Sequence, residues 1–573
     1  MKRLAPTVLF LCAASVAGAA TLDDYRPVTQ AMLEQPDAAD WLMFSRTYDA
    51  QRFSPLTGID TSNVGNLTLR WVRHLGPGNT ETIPLVHDGV MFLAVPGAIV
   101  QALDAASGEL LWEYQRPVTE GVAASARTKN LALYDDVVIY TAPDGYVVGL
   151  DAASGALRWE TSTGTRGHTS GPLVVDGLAI SGGACFGNRD NCYLAAHDVQ
   201  SGREVWRFYT TPAPGEPGDD SWNGAPLANR QASTWGLPGS YDPVRKLLYW
   251  GVANPMPDQR AARHGDALGT ALATPADLYS NSTLALDPAT GKLAWYYQHL
   301  PGDDWDLDAT HERVLLNTVV TPDPRYVKWI NPALRPGERR DILVTLPEGG
   351  GIWALDRNDG EFLWASPFPY DAPEFWLDHI DVEDGRVHLK ENLVFKAPGE
   401  RKIICFWNTR SYWPTAYNPA TNSLYTSYID ACRDLRTASA DDAGDWHVVP
   451  RPGGDPAALT GLAKIDLGTG EILRFDTGRA PSNGAMLTTA GNLVFHGDMN
   501  RRFKAFDAES GEQLWETILG GNVSVSTITY AVDGKQYVAV MTGENLKFTE
   551  LLELVPELGT PRGHNALYVF ALP

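Results

Sequence analysis

Short apolar runs alternate with polar turns along the whole chain, and six of these units share one internal spacing. Each unit has an Asp, a Gly four residues after it and a Trp eight residues after it. The copies are Asp104-Gly108-Trp112, Asp151-Gly155-Trp159, Asp198-Gly202-Trp206, Asp287-Gly291-Trp295, Asp356-Gly360-Trp364 and Asp507-Gly511-Trp515. In a seventh copy, which begins with Asp466 and Gly470, Arg474 stands where the Trp would be.

This spacing predicts two strands joined by a tight turn. The apolar run that ends at each Asp predicts the first strand, a stretch such as ASGE or PATG predicts the turn, and the run toward the Trp predicts the second strand. The Gly supplies the positive φ of the turn, and the Trp can pack flat between neighbouring units. Adjacent copies lie roughly 40 to 90 residues apart, with one longer gap, which is how a β-propeller appears in sequence.

We therefore predict an all-β fold, an eight-bladed β-propeller. The seven copies mark seven blades, and the eighth would combine a strand near Leu67–Val72 with one near Ala566–Leu572. Pairing the two ends of the chain closes the ring and removes exposed strand edges. The long gaps at 207–286 and 365–465 must hold insertions, and such loops usually carry the functional site.

The composition is that of an ordinary soluble globular protein, with 44% hydrophobic and 20% charged residues among 573. No linker-like segment divides the chain, so we expect one domain over residues 21–573. The formal net charge of -23 argues against nucleic acid and anionic membrane surfaces as partners, and it favours a basic protein partner.

The first twenty residues predict a secretory signal peptide. They contain Lys2 and Arg3, an apolar core over 8–16, and small residues before a cleavage point near Ala19 or Ala20. No other segment reaches the roughly 18 apolar residues that a membrane-spanning helix needs. We expect an exported, periplasmic protein that does not span the membrane.

Four cysteines follow the signal peptide: Cys185, Cys192, Cys405 and Cys432. An even number in an exported chain predicts two disulfides, and proximity in sequence suggests Cys185–Cys192 and Cys405–Cys432. Buried free thiols are the alternative. No Cys-Xaa-Xaa-Cys-His motif occurs, so no covalently attached haem is expected, and no Cys/His cluster has zinc spacing.

Several segments carry a resemblance to a known family. They are SRTYDAQRFSPL (45–56), GSYDPVRKLLYWGVANP (239–255), GDDWDLDATHE (302–312) and DGKQYVAVMTG (533–543). Together with the Trp repeats and the export signal, they make the chain similar to the quinoprotein alcohol dehydrogenases. These are eight-bladed propellers that hold pyrroloquinoline quinone (PQQ) and a metal ion on the propeller axis. The resemblance runs from Asp40 to the C-terminus, and is to haem-free periplasmic members that act on sugars, polyols or bulky alcohols.

The resemblance implies a site built around PQQ, a planar tricarboxylic quinone. Trp235 matches the family's Trp that stacks on the quinone ring. Asn254 and Asp308 match metal ligands, and Asp306 matches both a ligand and the catalytic base. In the implied reaction a hydride passes from the alcohol carbon to C5 of PQQ, while Asp306 takes the hydroxyl proton.

The remaining implied cofactor contacts are hydroxyl, acidic, small and cationic residues. The full predicted set is Glu81, Lys129, Thr141, Thr169, Gly183, Ala184, Trp235 and Arg410. Arg127 is a further candidate cation. His168 and His311 lie near these segments and are expected to be either structural or substrate-orienting.

Three positions depart from the family pattern. Ala123-Ala124 stands where the family often has a disulfide between adjacent cysteines, and Gly349 stands at a cationic position. Cys185 aligns with a metal-binding Glu, and a cysteine in a disulfide cannot bind a hard cation. Because Asp308 then replaces the missing carboxylate, we expect Ca²⁺, with a lanthanide as the alternative.

The sequence thus predicts a periplasmic PQQ- and metal-dependent dehydrogenase. It would oxidise a primary or secondary alcohol, in particular a sugar, polyol or bulky alcohol, and pass electrons to an external c-type cytochrome. Two other interpretations stay open. One is a non-catalytic propeller scaffold for outer-membrane protein assembly, and the other is a propeller hydrolase that uses the same metal.

Overall fold

The computed structural model describes residue 22 and residues 24–573, except 119–121, 123–124, 127, 165–166, 186, 188, 266–270, 440–441 and 546. The predicted signal peptide, Arg127 and Ala123-Ala124 lie outside the described residues. Within them the fold is nearly all β, with three short α-helices: Gln30–Glu34, Arg260–His264 and Phe548–Leu552. Short 3₁₀ helices cover Val64–Asn66, Arg189–Asn191, Asp219–Trp222, Leu227–Asn229 and Glu391–Leu393.

Among the described residues, eight sheets contain four or five strands. Sheet 1 has Leu85–His87, Val90–Val95, Ile99–Asp104 and Leu110–Gln115. Sheet 2 has Ala132–Tyr134, Val137–Thr141, Tyr146–Asp151 and Leu157–Ser162. Sheet 3 has Leu173–Val175, Leu178–Gly182, Tyr193–Asp198 and Glu204–Tyr209. Sheet 4 has Ser240–Asp242, Leu247–Gly251, Ser282–Leu286 and Leu293–Gln298.

Two of the other four sheets, sheets 7 and 8, include a strand from the N-terminal part of the chain. Sheet 5 has Val314–Val320, Glu338–Thr345, Ile352–Asp356, Phe362–Ser366 and the edge strand Trp329–Ile330. Sheet 6 has Ala416–Asn418, Ser423–Ile429, Thr460–Asp466 and Ile472–Gly478. Sheet 7 has Leu487–Thr489, Leu493–Gly497, Arg502–Asp507, Gln513–Ile518 and, parallel to the first, Phe53–Ser54. Sheet 8 has Val523–Val532, Lys535–Thr542, Ala566–Ala571 and Thr68–His74.

Sheet 8 joins the two ends of the chain. Thr68–His74 pairs antiparallel with Ala566–Ala571, so that Thr68 lies opposite Ala571 and His74 opposite Ala566. This is the strand pairing that the sequence predicts at Leu67–Val72 and Ala566–Leu572. Most of sheet 8 is therefore made from the C-terminal part of the chain, and one strand comes from the N-terminal part.

The insertions carry smaller sheets. Two-stranded sheets pair Asn79–Thr80 with Ser125–Ala126, Gln231–Ala232 with Pro255–Met256, and Leu377–Asp381 with Arg386–Leu389. A three-stranded sheet contains Arg401–Cys405, Ala431–Arg436 and Asp445–Pro450. None of the helices in the described part of the chain has the length and apolar character needed to traverse a bilayer.

The repeated Asp forms the turn of each unit. In the first copy, Asp104 Oδ1 accepts hydrogen bonds from the backbone N–H groups of Ala106 and Ser107 at 3.0 and 2.8 Å. The N–H of Gly108 donates to Asp104 O at 2.8 Å, and Gly108 has φ +76°. A short acceptor side chain followed by a residue that tolerates positive φ is therefore what the turn requires.

The repeated Trp packs on the Gly of the following unit. A Cβ built on Gly155 would lie 2.5 Å from Trp112 Cε3, and Trp112 Nε1 donates to Ala152 O at 3.0 Å. The same contact joins Trp71 to Gly108, Trp159 to Gly202, Trp206 to Gly291 and Trp295 to Gly360. The sequence prediction that the indole packs between neighbouring units is confirmed for these copies.

The later copies use other side chains. Val327, not Trp364, covers Gly470, and Phe475, the residue after Arg474, covers Gly511. Trp515 instead packs edge-on against Phe570 of sheet 8, with ring centroids 5.4 Å apart. The Asp and Gly of the motif therefore predict the turn in every copy. The Trp predicts the packing contact with the next glycine only for the copies from Trp112 to Trp295.

Replacing Gly155 by Ala is expected to destabilise the protein by about 2 kcal/mol or more, because a Cβ would meet the Trp112 indole and the residue would keep a positive φ of 71°. Gly534→Ala is the matched control, because Gly534 has φ +75° but no atom within 4 Å of a built Cβ. Urea denaturation measures both variants. Equal losses of stability in the two would mean that the Trp–Gly contact contributes nothing beyond backbone strain.

Candidate active site

One cavity of about 320 Å³ collects most of the predicted site residues. Its volume lies within the range of small-molecule sites. It is lined by Glu81, Lys129, Thr169, Ala184, Cys185, Gln231, Ser233, Trp235, Asn254, Met256, Asp258, Asp306, Asp308, Lys547 and Glu550. These residues come from segments scattered over most of the chain, so the fold alone brings them together.

The loop that presents Asp306 is shaped by a buried carboxylate. Asp303 accepts hydrogen bonds from the backbone N–H groups of Trp305 and Leu307, both at 2.7 Å. Burial raises the pKa of Asp303 to about 7. Asp306, between the two donors, adopts φ +66°, a conformation that is uncommon for a residue with a side chain. The Asp303 bonds hold this conformation and bring Asp306 to the cavity.

Asp308 links its own loop, residues 303–308 (the acidic loop), to Trp235 in the cavity wall. Its Oδ2 accepts a hydrogen bond from Trp235 Nε1 at 2.9 Å, and its Oδ1 accepts one from the Asn254 backbone N–H at 3.0 Å. Burial, together with the nearby charge of Asp306, raises the pKa of Asp308 to about 7. Asp308 therefore fixes the positions of both Trp235 and Asn254.

Asp258 is a third cavity carboxylate, absent from the predicted set. Its Oδ1 accepts a hydrogen bond from Asn254 Nδ2 at 3.1 Å, which leaves the Asn254 amide oxygen as the remaining acceptor of that side chain. Burial, with the charge of Asp306, raises the pKa of Asp258 to about 6. Three carboxylates and one amide oxygen in one cavity are the donor set that a hard cation such as Ca²⁺ or a lanthanide prefers, so these residues fit a metal ion.

Trp235 is held on three sides, as a rigid stacking surface requires. Its backbone N–H donates to Ser233 Oγ at 3.1 Å, and its carbonyl accepts from Thr169 Oγ1 at 2.9 Å. With Nε1 bonded to Asp308, neither the backbone nor the ring is free to turn. An indole fixed at the wall of this cavity fits a planar cofactor.

Lys129 and Glu81 lie beside this indole as a buried ion pair. Lys129 Nζ also sits 5.1 Å from the Trp235 ring centroid and 4.6 Å from that of Tyr412. An ammonium group that lies over these two rings and at the cavity fits a carboxylate of PQQ. Both predicted residues are thus at the cavity.

Two cations at the acidic loop are missing from the predicted set. Arg433 Nη1 donates to Trp305 O at 2.6 Å and lies 3.4 Å from Asp306 Oδ2. Lys547 Nζ lies 3.4 Å from Glu550 Oε2 and 3.9 Å from Glu348 Oε1. Burial alone would lower the pKa of Lys547, but the surrounding carboxylates raise it further than burial lowers it, so the ammonium form is favoured.

Arg433 is positioned by a disulfide that the sequence predicts. Cys405 and Cys432 are bonded, and they face each other across two strands of the three-stranded insertion sheet. Arg433 follows directly and packs over Trp446 at 4.6 Å. Neither residue type nor spacing distinguishes this arginine in the sequence, because its contact with Asp306 spans 127 positions.

Three predicted cofactor contacts do not line the cavity. Arg410 is fully buried, its guanidinium is bonded to Glu312 and to Leu346 O, and it is not among the lining residues, so its contact with the cofactor stays a prediction. Thr141 shares a hydrogen bond with the Thr128 hydroxyl at 2.7 Å. Gly183 is used in backbone bonds to Tyr193 and Thr234, and only its neighbour Ala184 reaches the cavity.

The remaining predicted residues have structural roles. Cys185 lines the cavity but is bonded to Cys192, so it is no metal ligand. Burial lowers the pKa of His168 to about 3 and lowers that of His311. Both histidines are buried and neither lines the cavity, which supports the structural interpretation.

Comparison with known proteins decides the family. Residues 41–365 and 457–538 match the family model described as PQQ: Glucose/ethanol/alcohol dehydrogenase, beta-propeller domain. The chain belongs to the PQQ-dependent alcohol dehydrogenases. It is 31% identical to quinohemoprotein alcohol dehydrogenase ADH-IIG of Pseudomonas putida over 95% of this chain and 78% of that protein. It is 31% identical, with the same coverage of both chains, to ADH IIB of the same organism.

Solved structures of this family have the same fold. The chain aligns with the ADHIIG structure from Pseudomonas putida with a TM-score of 0.80 and 27% identity, covering 95% of this chain and 82% of that one. It aligns with a europium-containing methanol dehydrogenase with a TM-score of 0.80 and 26% identity, covering 95% of this chain and 100% of that one. As a quinoprotein alcohol dehydrogenase, the protein is an enzyme that uses PQQ and a metal ion, and its fold is a β-propeller.

Proposed function

We propose that this enzyme oxidises a primary or secondary alcohol group of a sugar, polyol or bulky alcohol to the carbonyl, with Asp306 as the base. The observation that carries the proposal is the joint placement of Asp306, Asp308 and Asn254 against the fixed Trp235 indole in one cavity. The family relationship supports alcohol oxidation, and the residues at the cavity support the assignment of roles.

The charges of the cavity favour an obligatory metal ion. Five lining residues are acidic, namely Glu81, Asp258, Asp306, Asp308 and Glu550, whereas the lining cations are Lys129 and Lys547. A tricarboxylate cofactor would be repelled by this excess of negative charge. A cation bound by Asn254, Asp306 and Asp308, with Asp258 close by, would offset the repulsion.

Each of the protein's own groups has a distinct part in the reaction. When bound, PQQ supplies the two-electron acceptor that the side chains lack. Asp306 receives the hydroxyl proton of the alcohol at its carboxylate. Arg433, 3.4 Å from Asp306 Oδ2, limits the rotation of this carboxylate. Trp235 would support the flat face of the cofactor, and Lys129 would bind one of its carboxylates.

Polar lining residues support a polyhydroxylated substrate. Gln231 and Ser233 line the same cavity as Asp306, and each keeps hydrogen-bonding capacity beyond the bonds that it already makes to backbone groups. A substrate with several hydroxyl groups would use them, whereas methanol would leave them to water. Ala123-Ala124 and Cys185 also favour a polyhydroxylated substrate, because they stand where members of the family have residues that border the cofactor.

We further propose that the electrons leave through a separate c-type cytochrome in the periplasm. The sequence contains no Cys-Xaa-Xaa-Cys-His motif for a covalently bound haem, and its N-terminal twenty residues have the pattern of a signal peptide. The formal net charge of -23 would attract a basic cytochrome, so electron transfer should slow as salt concentration rises.

We also propose that the fold is an eight-bladed propeller in a single domain over residues 21–573. The eight sheets of four or five strands support this count, and the contacts of Trp71 through Trp295 with the next glycine support sequential blades. The pairing of Thr68–His74 with Ala566–Ala571 supports closure of the ring by the two ends of the chain.

Reconstitution tests the proposed function. We expect apo protein mixed with PQQ and either Ca²⁺ or La³⁺ to reduce an artificial dye with polyols, sugars or cyclic secondary alcohols, and to fail with PQQ alone. Asp308→Ala is the control for the site, because it removes one carboxylate and the Trp235 bond together. Absence of dye reduction with either ion across the panel would refute the proposal, and the more effective ion identifies the metal.

A further inference from the structure

The hairpin formed by Leu377–Asp381 and Arg386–Leu389 places two histidines and a carboxylate together at the surface. His379 lies directly opposite His388 across the two strands, and Asp381 is two residues from His379 on the same strand face. One ligand atom from each of the three side chains lies within 4.8 Å of the other two. His379 and Asp381 are 49% and 42% exposed, and His388 is 25% exposed, so all three are within reach of an ion from solution.

Hydrogen bonding directs the imidazole nitrogens toward Asp381. His379 Nδ1 is 2.8 Å from Asp378 Oδ2 and donates its proton there, so a neutral His379 has a lone pair on Nε2. His379 Nε2 lies 3.7 Å from Asp381 Oδ1, and His388 Nε2 lies 2.9 Å from Asp381 Oδ2. One nitrogen of each ring therefore lies beside the two oxygens of a single carboxylate.

The second histidine is held beside the first. The His379 and His388 rings stack with centroids 4.1 Å apart and an angle of 9° between their planes. An ion shared by both imidazoles must lie in the plane of each ring, so binding requires one of these surface side chains to rotate. The nearest arginine on the hairpin, Arg386, is bonded to Asp384 at 3.1 Å.

We propose that His379, Asp381 and His388 bind a divalent transition-metal ion, and that Zn²⁺ is the ion whose ligand preferences they match best. Two imidazoles and one carboxylate are a common zinc set, with the fourth position left to water. Zinc bonds of about 2.0 to 2.2 Å would draw the three donor atoms closer than they now lie. Their exposure leaves room for that rotation. Asp378, bonded to the far nitrogen of His379, would orient the ring as carboxylates behind zinc-bound histidines do.

The ion would also restrain the insertion at 207–286, part of which lines the active-site cavity. His388 forms a β-bridge with Ala273, and Leu389 N–H donates to Leu272 O at 2.9 Å. The segment around Ala273 belongs to the same insertion as Asn254 and Asp258. Zinc at the hairpin would therefore restrain the outer part of the loop whose inner part lines the cavity.

Zinc titration tests this site on the protein as purified, without a polyhistidine tag and in excess calcium, which occupies the carboxylate cluster of the cavity. In competition with a chromophoric chelator, the wild type is expected to take one Zn²⁺ per chain. His388→Ala and His379→Ala are expected to lose it, and Asp378→Asn to weaken it about 10- to 100-fold. His447→Ala is the control, because His447 is also exposed and close to a carboxylate, Glu553 at 3.7 Å, but lacks a second histidine.

Two further measurements guard against indirect effects. The variants should unfold at the wild-type temperature without zinc, because all three side chains are at the surface. Hydrogen exchange in the wild type should slow on zinc addition at 377–389 and at 271–274. If His388→Ala binds as much zinc as the wild type, or if the zinc absorption edge shows no imidazole ligands, the proposal is wrong.

Discussion

Asp306→Asn is expected to lower kcat by about 10²- to 10⁴-fold, the usual contribution of a general base. The amide keeps an oxygen that can bind a metal ion, but it cannot take the hydroxyl proton of the alcohol. Arg433, which lies 3.4 Å from the carboxylate, would then face a neutral group. The measurement is steady-state dye reduction at saturating PQQ and metal, with bound PQQ quantified by its absorbance.

The control for this variant is Asp258→Asn, which removes another carboxylate of the same cavity. Asp258 is bonded to Asn254 and has no assigned part in proton transfer, so its loss should weaken metal binding and leave kcat near the wild-type value at saturating metal. An Asp306→Asn enzyme that retains PQQ and turns over at the wild-type rate would remove Asp306 from the mechanism.

Arg410→Met is expected to cost about 3 to 5 kcal/mol of folding free energy, the range for breaking one side of a buried ion pair. Arg410 Nη2 lies 2.8 and 2.7 Å from the two oxygens of Glu312, and the side chains are 0% and 2% exposed. Removing the guanidinium leaves the buried Glu312 carboxylate without its direct ion-pair partner, and Arg313 and Arg52 act on it only at longer range. Urea denaturation followed by tryptophan fluorescence measures the loss.

The loss of folding free energy in Arg410→Met should become smaller as the pH falls. Burial raises the pKa of Glu312, but Arg410 and the Thr415 hydrogen bonds outweigh burial and hold it below its ordinary value of 4.5. The stabilisation is therefore complete above that value and disappears as the pH falls through the lower folded-state pKa, where wild type and variant should converge.

Arg325→Met is the matched control for Arg410→Met, because Arg325 pairs with Asp323 while 74% exposed, and its loss should leave the folding free energy almost unchanged. PQQ affinity should be unchanged in folded Arg410→Met, since Arg410 does not line the cavity. A variant of normal stability that has lost PQQ binding would restore Arg410 as a cofactor contact.

Arg410 and Arg433 show which features of the site cannot be predicted from the sequence. Trp235, Asn254, Asp306 and Asp308 could be predicted because each lies in a short segment that resembles a site segment of the quinoprotein family. Arg410 also lies in a family-like segment, but its direction is set by Glu312, 98 positions away. Arg433 and Lys547 reach the acidic loop only through long-range packing, and Asp258 reaches it through an insertion whose path has no sequence periodicity.

The repeats show the same limit within the fold. The Asp and Gly of each copy act within one turn, so their spacing predicts the turn in every copy. The Trp acts on the following unit, and its contact depends on how that unit is placed. For this reason the prediction holds from Trp112 to Trp295 but not for Trp364, where Val327 takes the place of the indole.

The pairing in sheet 8 also determines when folding can be completed during biosynthesis. Thr68 and Ala571 are 503 residues apart, so the strand at 68–74 leaves the ribosome long before its partner exists. Until then its edge is open to mispairing with other chains, which chaperones must prevent. Sheet 8 therefore stays incomplete until the strand at 566–571 has been translated, and a frameshift anywhere before that strand would remove the pairing.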